Sequence, residues 1–300
     1  MSVSVREQQA RQIREGKGCI TAFDESGGTS PKTLLAYGID STGYSNDQEM
    51  MDLTHAFRTR VIVSPAYTEE KKVVGAIFFE DTLNRTIRGK PTAQFVWENL
   101  RIVPFEKVDE GLAAKADGVQ LMKPITKLDA RLVHANKNGI FGTKTRSFID
   151  ELSLTGIKSI VRQQFEIAAR IIDAGLVPII EPEVNINALN KGKIEVILLP
   201  ELFNEVDKLP AGQLVIYKLT PPEEAGLYSG LVAHPNVLKV VALSGGYSRD
   251  EACRRVAENH GIIASFSRGM REDLKVTQTD EEFDNTLRRN LNQIYEASIT

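Results

Sequence analysis

The stretch "QLVIYKLTPP" (213–222) joins an apolar run typical of a buried strand to a lysine at its end. Leu214, Val215 and Ile216 favour a β-strand, and two prolines end the run shortly after Lys218. Lysine is rarely buried without a partner, because its ammonium group loses hydration. We therefore expect the side chain of Lys218 to reach water, to form a salt bridge or to take part in chemistry.

Seven other apolar runs resemble this one, and longer segments with helical periodicity separate them. The eight strand candidates are "CITAFD" (19–24), "VVGAIFF" (73–79), "IVPFEKV" (102–108), "IFGTKTR" (140–146), "LVPIIEPE" (176–183), "LVIYKL" (214–219), "VLKVVALSG" (237–245) and "IIASFSR" (262–268). Capping residues predict three helix starts: Ser30 before Pro31, Asn46 with Glu49, and Thr279 with Glu282. Strands that alternate with helices predict a parallel sheet, either doubly wound or closed into a barrel.

The residues at the strand ends favour the barrel. An open sheet needs reactive side chains at a single switch point, whereas a barrel draws its site from the ends of many strands. Nearly every run here ends in a polar or charged residue: Asp24, Glu80, Lys107, Lys144, Glu181, Lys218, Ser244 and Arg268. We therefore predict one α/β domain over residues 1–300, a TIM (β/α)8 barrel with an N-terminal helix at about 4–16 and a C-terminal helix at about 280–297.

The composition excludes several classes of protein. A net charge of −3 gives no basic footprint for nucleic acid. No run of 18 apolar residues and no signal-peptide core is found, so neither membrane association nor export is expected. The two cysteines, Cys19 and Cys253, are predicted to be buried reduced thiols, which is typical of cytoplasmic proteins. The four histidines lack ligand spacing, so we expect no metal site and no cofactor.

The strand-end residues also predict the kind of ligand. Each one alone has an ordinary explanation as a helix cap, a loop carboxylate or a solvated lysine. Together they contain three lysines and two arginines, counting Arg146, which indicates a cationic site for an anionic, phosphorylated small molecule. The "SGG" at 244–246 and the "SFSRG" at 265–269 match the phosphate site that barrels form after their seventh and eighth strands.

A Schiff base would give Lys218 a chemical use. An amine attacks a carbonyl only in its neutral form, whereas a free lysine has a pKa of about 10.4. Burial and neighbouring cations favour the neutral form, and Lys144 and Arg146 are candidates for those cations. The alternative is a salt bridge from Lys218 to Glu181 or Glu183, which would favour the charged form.

Six motifs resemble the class I fructose-bisphosphate aldolases, particularly the shorter bacterial form. They are, in the family's order, "AFDESGG" (22–28), "FEKVDEG" (105–111), "LVPIIEPEVNI" (176–186), "VIYKLT" (215–220), "LSGGYS" (243–248) and "SFSRG" (265–269). The resemblance implies a metal-independent TIM-barrel lyase of glycolysis and gluconeogenesis. Such an enzyme cleaves fructose 1,6-bisphosphate reversibly to dihydroxyacetone phosphate and glyceraldehyde 3-phosphate.

The resemblance also implies roles for the matching residues. Lys218 resembles the Schiff-base nucleophile at C2, Glu181 the acid/base group that dehydrates the carbinolamine, and Asp24 the carboxylate at the C4 hydroxyl. Lys144 resembles the cation beside the imine nitrogen, with Arg146 and Glu183 in support. The 1-phosphate is assigned to Ser244, Gly245, Gly246, Ser267 and Arg268, and the 6-phosphate to Ser26, Thr29 and Lys107.

Two departures and two alternatives remain. The animal enzymes end in a tail whose tyrosine assists enamine protonation, whereas this chain ends in "NQIYEASIT", where Tyr295 is expected on a core face. The "KTR" at 144–146 lacks the tryptophan found between the two basic residues in those enzymes. The alternatives are another Schiff-base barrel aldolase or transaldolase acting on a different phosphosugar, and a non-catalytic barrel scaffold. Assembly into a homo-oligomer is left open.

Overall fold

The structure, a computed structural model, describes residues 3–300 and contains a closed barrel of eight parallel strands. Each strand pairs with its neighbours along the chain, and the last strand pairs with the first to close the barrel. The TIM barrel predicted from the strand ends is therefore confirmed. The strands are β1 (Cys19–Phe23), β2 (Val73–Phe78), β3 (Val103–Lys107), β4 (Gly142–Ile149), β5 (Val177–Val184), β6 (Val215–Leu219), β7 (Val237–Ala242) and β8 (Ile262–Phe266).

Helices surround the barrel. They are α1 (Val5–Glu15), α2 (Ser30–Tyr37), α3 (Asp47–Val63), α4 (Pro65–Thr68), α5 (Glu80–Leu83), α6 (Thr92–Leu100), α7 (Leu128–Lys137), α8 (Leu154–Asp173), α9 (Lys191–Val206), α10 (Ser229–Val232), α11 (Arg249–Ala257), α12 (Arg268–Arg271) and α13 (Asp280–Ser298). Two short antiparallel additions are a pair formed by Thr86–Ile87 with Lys90–Pro91, and Val119–Gln120 beside β4. Within residues 3–300, no helix is both long and apolar enough to cross a membrane.

The interior of the barrel is apolar near its middle and polar at the carboxyl ends of the strands. Ile20, Phe105, Ile179, Ile216 and Ile263 belong to one buried cluster inside the barrel. Side chains two residues apart on a strand point to the same side. The residues two positions after Phe105, Ile179 and Ile216 therefore extend the interior towards the rim, and all three are charged: Lys107, Glu181 and Lys218.

Strand β4 depends on a glycine that lets two backbones approach closely. A Cβ atom on Gly142 would lie 2.0 Å from the carbonyl oxygen of Val177 on β5. The same strand carries Lys144 and Arg146, whose charges are paired with Glu181 and Glu183 on the neighbouring strand β5. The mixed, polar sequence of β4 is thus compatible with a barrel strand because its charges find partners at the rim.

The helix caps agree only in part with the sequence prediction. The capping box of Thr279 and Glu282 is present at the start of α13. Asn46 caps α3 by accepting from the amide of Glu49, but the Glu49 carboxylate accepts from Ser45 and so leaves the reciprocal bond unmade. The prediction for Ser30 is wrong. It is the first residue of α2, and its hydroxyl donates to the carbonyl of Ser26, because the preceding turn folds back on itself.

The structure also tests the predicted burial of Cys19, Cys253 and Tyr295. Cys19 and Cys253 are free and buried, and burial raises the pKa of their thiols to about 12 and about 11. Tyr295 is half-buried and lies beside the core, with the ammonium of Lys72 5.8 Å from its ring centroid. The expectation that Tyr295 belongs to the core is therefore wrong.

Candidate active site

Four charged side chains meet inside the mouth of the barrel: three are carried by strands β4, β5 and β6, and the fourth directly follows β1. Lys144 Nζ on β4 donates to Asp24 Oδ2 at 2.8 Å and lies 2.5 Å from Glu181 Oε2 on β5. The other oxygen of that carboxylate, Glu181 Oε1, lies 3.2 Å from Lys218 Nζ on β6. Lys144, Glu181 and Lys218 are buried, while Asp24 is slightly exposed towards the opening. The chain thus places an amine, a carboxylate shared with a second cation, and a further carboxylate within one small volume.

The electrostatics fix the charge on two of these groups. Burial alone would lower the pKa of Lys144, but the carboxylates of Asp24 and Glu181 outweigh it and raise that pKa well above its ordinary value. Burial alone would raise the pKa of Asp24, but the charges of Lys144 and Lys218 hold it well below its ordinary value. Both shifts favour the charged forms, so the site without substrate holds Lys144 as a cation and Asp24 as a carboxylate.

The salt bridge between Lys218 and Glu181, which the sequence offered as an alternative, is present. It is compatible with a Schiff base on Lys218. Glu181 divides its two oxygens between Lys218 and Lys144, so its charge is already shared with a cation that stays protonated. A carboxylate 3.2 Å from the Lys218 amine is also within reach to exchange protons with it. The ion pair therefore supplies the proton acceptor that an attacking amine needs.

Two further ion pairs flank this cluster. Arg146 Nε donates to Glu183 Oε2 at 2.6 Å. Lys107 Nζ lies 2.8 Å from Asp109 Oδ1 and donates to the carbonyl of Asp109 at 3.1 Å. The other carboxylate oxygen, Asp109 Oδ2, is buried and accepts no hydrogen bond from residues 3–300. Burial alone would lower the pKa of Arg146, but the carboxylates of Glu183, Glu181 and Asp109 raise it above its ordinary value.

The centre of the site is balanced in charge, which corrects the expectation of a cationic cluster. Each basic side chain there has an acidic neighbour. The cations are Lys107, Lys144, Arg146 and Lys218, and the carboxylates are Asp24, Asp109, Glu181 and Glu183. Of the predicted rim residues, Glu80 lies apart from this group at the start of α5, where its nearest cation is Arg131 at 4.0 Å. The balanced core therefore carries no net positive charge that would attract an anion.

The ends of β7 and β8 supply an unpaired cation and a turn rich in amides. Gly245 and Gly246 have φ values of +59° and +112°, in the left-handed region that favours glycine. A Cβ on Gly246 would lie 3.9 Å from Arg268 Nη2, so the guanidinium group lies directly beside this turn. Arg268 is exposed, and its side chain has no hydrogen-bond or ion-pair partner among residues 3–300. Ser244 borders the same turn and is half-buried.

The structure gives Ser267 a different partner from the one predicted. Its hydroxyl donates to Glu25 Oε1 and accepts from Arg271 Nη2 at 2.8 Å. A hydroxyl committed to two neighbours in this way is a weaker candidate for contacting a phosphate than Arg268 or the amides of the glycine turn. The contribution of Ser267 to phosphate binding stays a prediction.

The residues predicted for the 6-phosphate, Ser26, Thr29 and Lys107, lie on two separate elements. In the loop after β1, the carbonyl of Ser26 accepts from the amide of Thr29 at 2.8 Å and from its hydroxyl at 3.1 Å. Lys107 lies at the end of β3, two strands around the barrel. Within residues 3–300, no hydrogen bond joins Lys107 to this loop. Ser26 and Thr29 therefore contact each other, whereas Lys107 lies apart from both.

Four residues of the site region were not predicted: Asp109, Glu25, Arg58 and Arg271. Asp109 and Glu25 fall inside the quoted motifs "FEKVDEG" and "AFDESGG", so their motif membership was an available signal. Arg58 adjoins the apolar residue Phe57 on α3 and is buried at 2% exposure, a position at which a sequence pattern predicts an apolar residue. Its burial depends on contacts with Glu25 and Thr82, which only the folded chain brings together.

The donor set at this site does not suit a transition metal. Its side chains are carboxylates and amines, without imidazole or thiolate. In the part of the chain that the structure describes, no three His, Cys, Asp or Glu side chains are grouped so as to hold a metal ion. The cation available beside the shared carboxylate is Lys144.

Comparisons with known proteins show which family the chain resembles. The family model described as class-I fructose-bisphosphate aldolase, glycolytic, matches residues 5–195. The fructose-bisphosphate aldolase class 1 of Synechocystis sp. is 50% identical over 300 residues, which is 100% of both chains.

Two solved structures share the fold at low sequence identity. The fructose-bisphosphate aldolase of Plasmodium falciparum, solved in complex with TRAP and a small-molecule inhibitor, has a TM-score of 0.73 at 19% identity, over 99% of this chain and 95% of that one. Cgl0159 of Corynebacterium glutamicum has a TM-score of 0.52 at 14% identity, over 98% and 93%. At these identities the likeness concerns the barrel alone.

Proposed function

The chain belongs to the class I fructose-bisphosphate aldolases, and we propose that Lys218 is the residue on which it forms the Schiff base. It is accordingly a metal-independent lyase that cleaves fructose 1,6-bisphosphate reversibly to dihydroxyacetone phosphate and glyceraldehyde 3-phosphate. The observation that carries the assignment is the position of the buried amine of Lys218, 3.2 Å from a carboxylate that also contacts a permanent cation. The remaining roles follow from the contacts around that amine.

Imine formation needs a proton acceptor beside the amine. Glu181 Oε1 takes a proton from the Lys218 ammonium, and the neutral nitrogen then attacks C2 of the open-chain ketose. The same carboxyl group returns a proton to the carbinolamine hydroxyl, which leaves as water. Lys144, 2.5 Å from Glu181 Oε2, stays protonated through these steps and holds the carboxyl group in place.

Cleavage of the C3–C4 bond needs an electron sink and a base. The iminium at C2 accepts the electron pair of the breaking bond and becomes an enamine. The proton of the C4 hydroxyl passes to Asp24, and C4 becomes the aldehyde of glyceraldehyde 3-phosphate. Asp24 is held 2.8 Å from Lys144 Nζ, so a cation also balances the negative charge that develops at O4. Protonation of the enamine at C3 and hydrolysis of the imine then release dihydroxyacetone phosphate.

The two phosphates are assigned to different residues of the rim. Arg268, Ser244 and the amides of Gly245 and Gly246 bind the 1-phosphate, because Arg268 is unpaired and adjacent to that turn. Lys107, with Ser26 and Thr29, binds the 6-phosphate. Arg146 and Glu183 form an ion pair that supports Lys144.

A cytoplasmic location is also inferred. It is supported by two free, buried cysteines, which suit a reducing compartment, and by a relative that is a fructose-bisphosphate aldolase.

Replacement of the lysine tests the proposal. Lys218→Met removes the amine and nearly preserves the side-chain volume, so we expect a folded protein with almost no turnover of fructose 1,6-bisphosphate. Lys239→Met, at a partly exposed lysine on β7, is the matched control and should keep full activity. Single-turnover cleavage and melting temperature are measured on both. A Lys218→Met enzyme with more than a few per cent of wild-type cleavage would refute the assignment.

A further inference from the structure

Glu25, the residue after Asp24, joins three elements that border the site. Its Oε1 atom accepts from Ser267 Oγ, directly after β8, and from Nη2 of Arg271, the last residue of α12. Its Oε2 atom lies 3.4 Å from Arg58 Nη2 on α3. Glu25 is 14% exposed and Arg58 is 2% exposed, so the pairing is largely shielded from water. One carboxylate is therefore the meeting point of two guanidinium groups and a hydroxyl.

Arg58 holds the backbone next to Asp24. Its Nη2 atom donates to the carbonyl of Glu25 at 2.8 Å, and its Nη1 atom donates to Thr82 Oγ1 at 2.7 Å. Thr82 belongs to α5, which follows β2. The loop after β1 is thus fixed to the end of β2 by a buried, planar group with a defined direction.

Arg271 holds the turn that carries Arg268. Its Nη2 atom donates to Ser267 Oγ at 2.8 Å, and its Nε atom donates to the carbonyl of Ser267 at 3.2 Å. Both contacts act on the residue immediately before Arg268. Because the same Nη2 atom also reaches Glu25, the position of this turn is tied to the loop that carries Asp24.

From this geometry we infer that Glu25 is a positioning residue with two separable arms, Arg58 for the cleavage carboxylate Asp24 and Arg271 for the 1-phosphate turn at 267–268. The inference rests on the roles assigned to Asp24 and Arg268 under the proposed function. None of the three residues contacts the substrate. They act by fixing, from outside the site, the distance between the group that takes the C4 hydroxyl proton and the group that binds the 1-phosphate.

The two arms are distinguishable because two reactions of the enzyme use different parts of the site. Imine formation with dihydroxyacetone phosphate needs Lys218, Glu181 and the 1-phosphate turn, but this ligand has no C4 hydroxyl. Cleavage of fructose 1,6-bisphosphate needs Asp24 in addition. Loss of the Arg58 arm should therefore damage cleavage alone, and loss of the Arg271 arm should damage both reactions through binding.

The experiment compares Arg58→Met, Arg58→Lys, Arg271→Met and Glu25→Gln in the full-length enzyme. The control is Arg254→Met, which removes exposed ion pairs to Glu251 and Glu258 on α11, away from the network. Two quantities are measured: kcat and KM for cleavage of fructose 1,6-bisphosphate, and the half-saturating concentration of dihydroxyacetone phosphate in borohydride trapping. Melting temperature is recorded for each variant.

We expect Arg58→Met to lower kcat by about tenfold or more, since small misplacements of a catalytic group have effects of that size, with half-saturation in trapping changed less than about twofold. Arg58→Lys should have a higher kcat than Arg58→Met, because lysine keeps the positive charge but lacks the planar guanidinium group that donates to two partners at once. Arg271→Met should raise KM and the half-saturating concentration by similar factors, about fivefold or more, with a smaller effect on kcat. Glu25→Gln, which sets an amide group against a guanidinium group, should combine both effects.

The inference fails if the Arg58 and Arg271 variants shift both quantities by equal factors, or if they match Arg254→Met and lower only the melting temperature. If Arg58→Met does not fold, Arg58→Lys and Glu25→Gln decide by the same criteria. Measurements on the wild-type enzyme distinguish failure of this inference from failure of the proposed function. Normal cleavage and a trapped adduct on Lys218 in the wild type, with unaffected variants, would refute the inference alone, whereas an adduct elsewhere would refute the proposed function.

Discussion

Removal of the Lys107 ammonium should separate the two ends of the substrate. Fructose 1-phosphate keeps the phosphate assigned to Arg268 and lacks the one assigned to Lys107. Lys107→Ala should therefore lower kcat/KM for the bisphosphate and leave kcat/KM for fructose 1-phosphate nearly unchanged. The ratio of the two kcat/KM values should fall. Lys107 is only 13% exposed, so a contact from its ammonium to a phosphate would be poorly screened by water.

The size of the effect follows from the contact that is lost. A hydrogen bond between charged partners contributes about 1.5–3 kcal/mol, which corresponds to roughly 10- to 150-fold in kcat/KM at about 1.36 kcal/mol for each factor of ten. Lys107→Ala also leaves Asp109 without its cation, 5% exposed and close to the incoming phosphate. The double variant Lys107→Ala with Asp109→Asn removes that leftover charge, so it isolates the loss of the phosphate contact itself.

The assay measures kcat/KM for both sugars on wild type, Lys107→Ala, the double variant and Arg268→Ala. Arg268→Ala should lower kcat/KM for both sugars by a similar factor, because both carry the 1-phosphate. Equal losses for the two sugars in Lys107→Ala and in the double variant would place Lys107 in the catalytic centre or in the fold. The two-ended assignment of the site would then be wrong.

Three other predictions concern the metal, the ion pairs and the barrel. Cleavage should proceed at the same rate in excess chelator, because the iminium is the electron sink; a loss that added zinc restores would contradict this. Asp24→Asn should lower the free energy of unfolding by about 1.5–3 kcal/mol at pH 7. Because the folded-state pKa of Asp24 is depressed, the stabilisation is complete above the unfolded value of about 3.9 and is lost as pH falls through the folded value. Urea unfolding of both proteins from pH 7 to pH 3.5 should show that the difference in their free energies of unfolding begins to narrow only at the acid end. NMR titration of Asp24 in the wild type is the second measurement, and an ordinary pKa there would contradict the ion pair. Gly142→Ala should destabilise the barrel severely, since its Cβ would lie 2.0 Å from the Val177 carbonyl oxygen. Gly192→Ala on α9, where the nearest atom to the new Cβ is 3.6 Å away, should be neutral or stabilising. A melting temperature lower for Gly192→Ala than for Gly142→Ala would contradict the packing argument.

Much of the fold could be predicted because the signals that specify it are local. Runs such as 176–183 and 214–219 alternate inward and outward residues with period two, and each carries a charged residue near its end that the barrel brings to its rim. The positions of Lys144, Glu181 and Lys218 in one cluster follow from that alternation once the barrel is assumed.

What could not be predicted depends on contacts between distant parts of the chain. The charge balance of the site depends on Asp109, which pairs with Lys107 through a turn whose shape the sequence does not reveal. The commitment of Ser267 to Glu25 joins residues 242 positions apart. The burial of Arg58 reverses the usual preference of arginine for water, and it is explained only by partners on two other elements.

The most direct test of the central claim is to identify the lysine that forms the imine. The enzyme is incubated with dihydroxyacetone phosphate, reduced with borohydride and digested, and the modified peptide is sequenced by mass spectrometry. A single adduct on Lys218, absent from Lys218→Met, is the result that the geometry predicts. An adduct on Lys144 or Lys107, or equal labelling of several lysines, would contradict it.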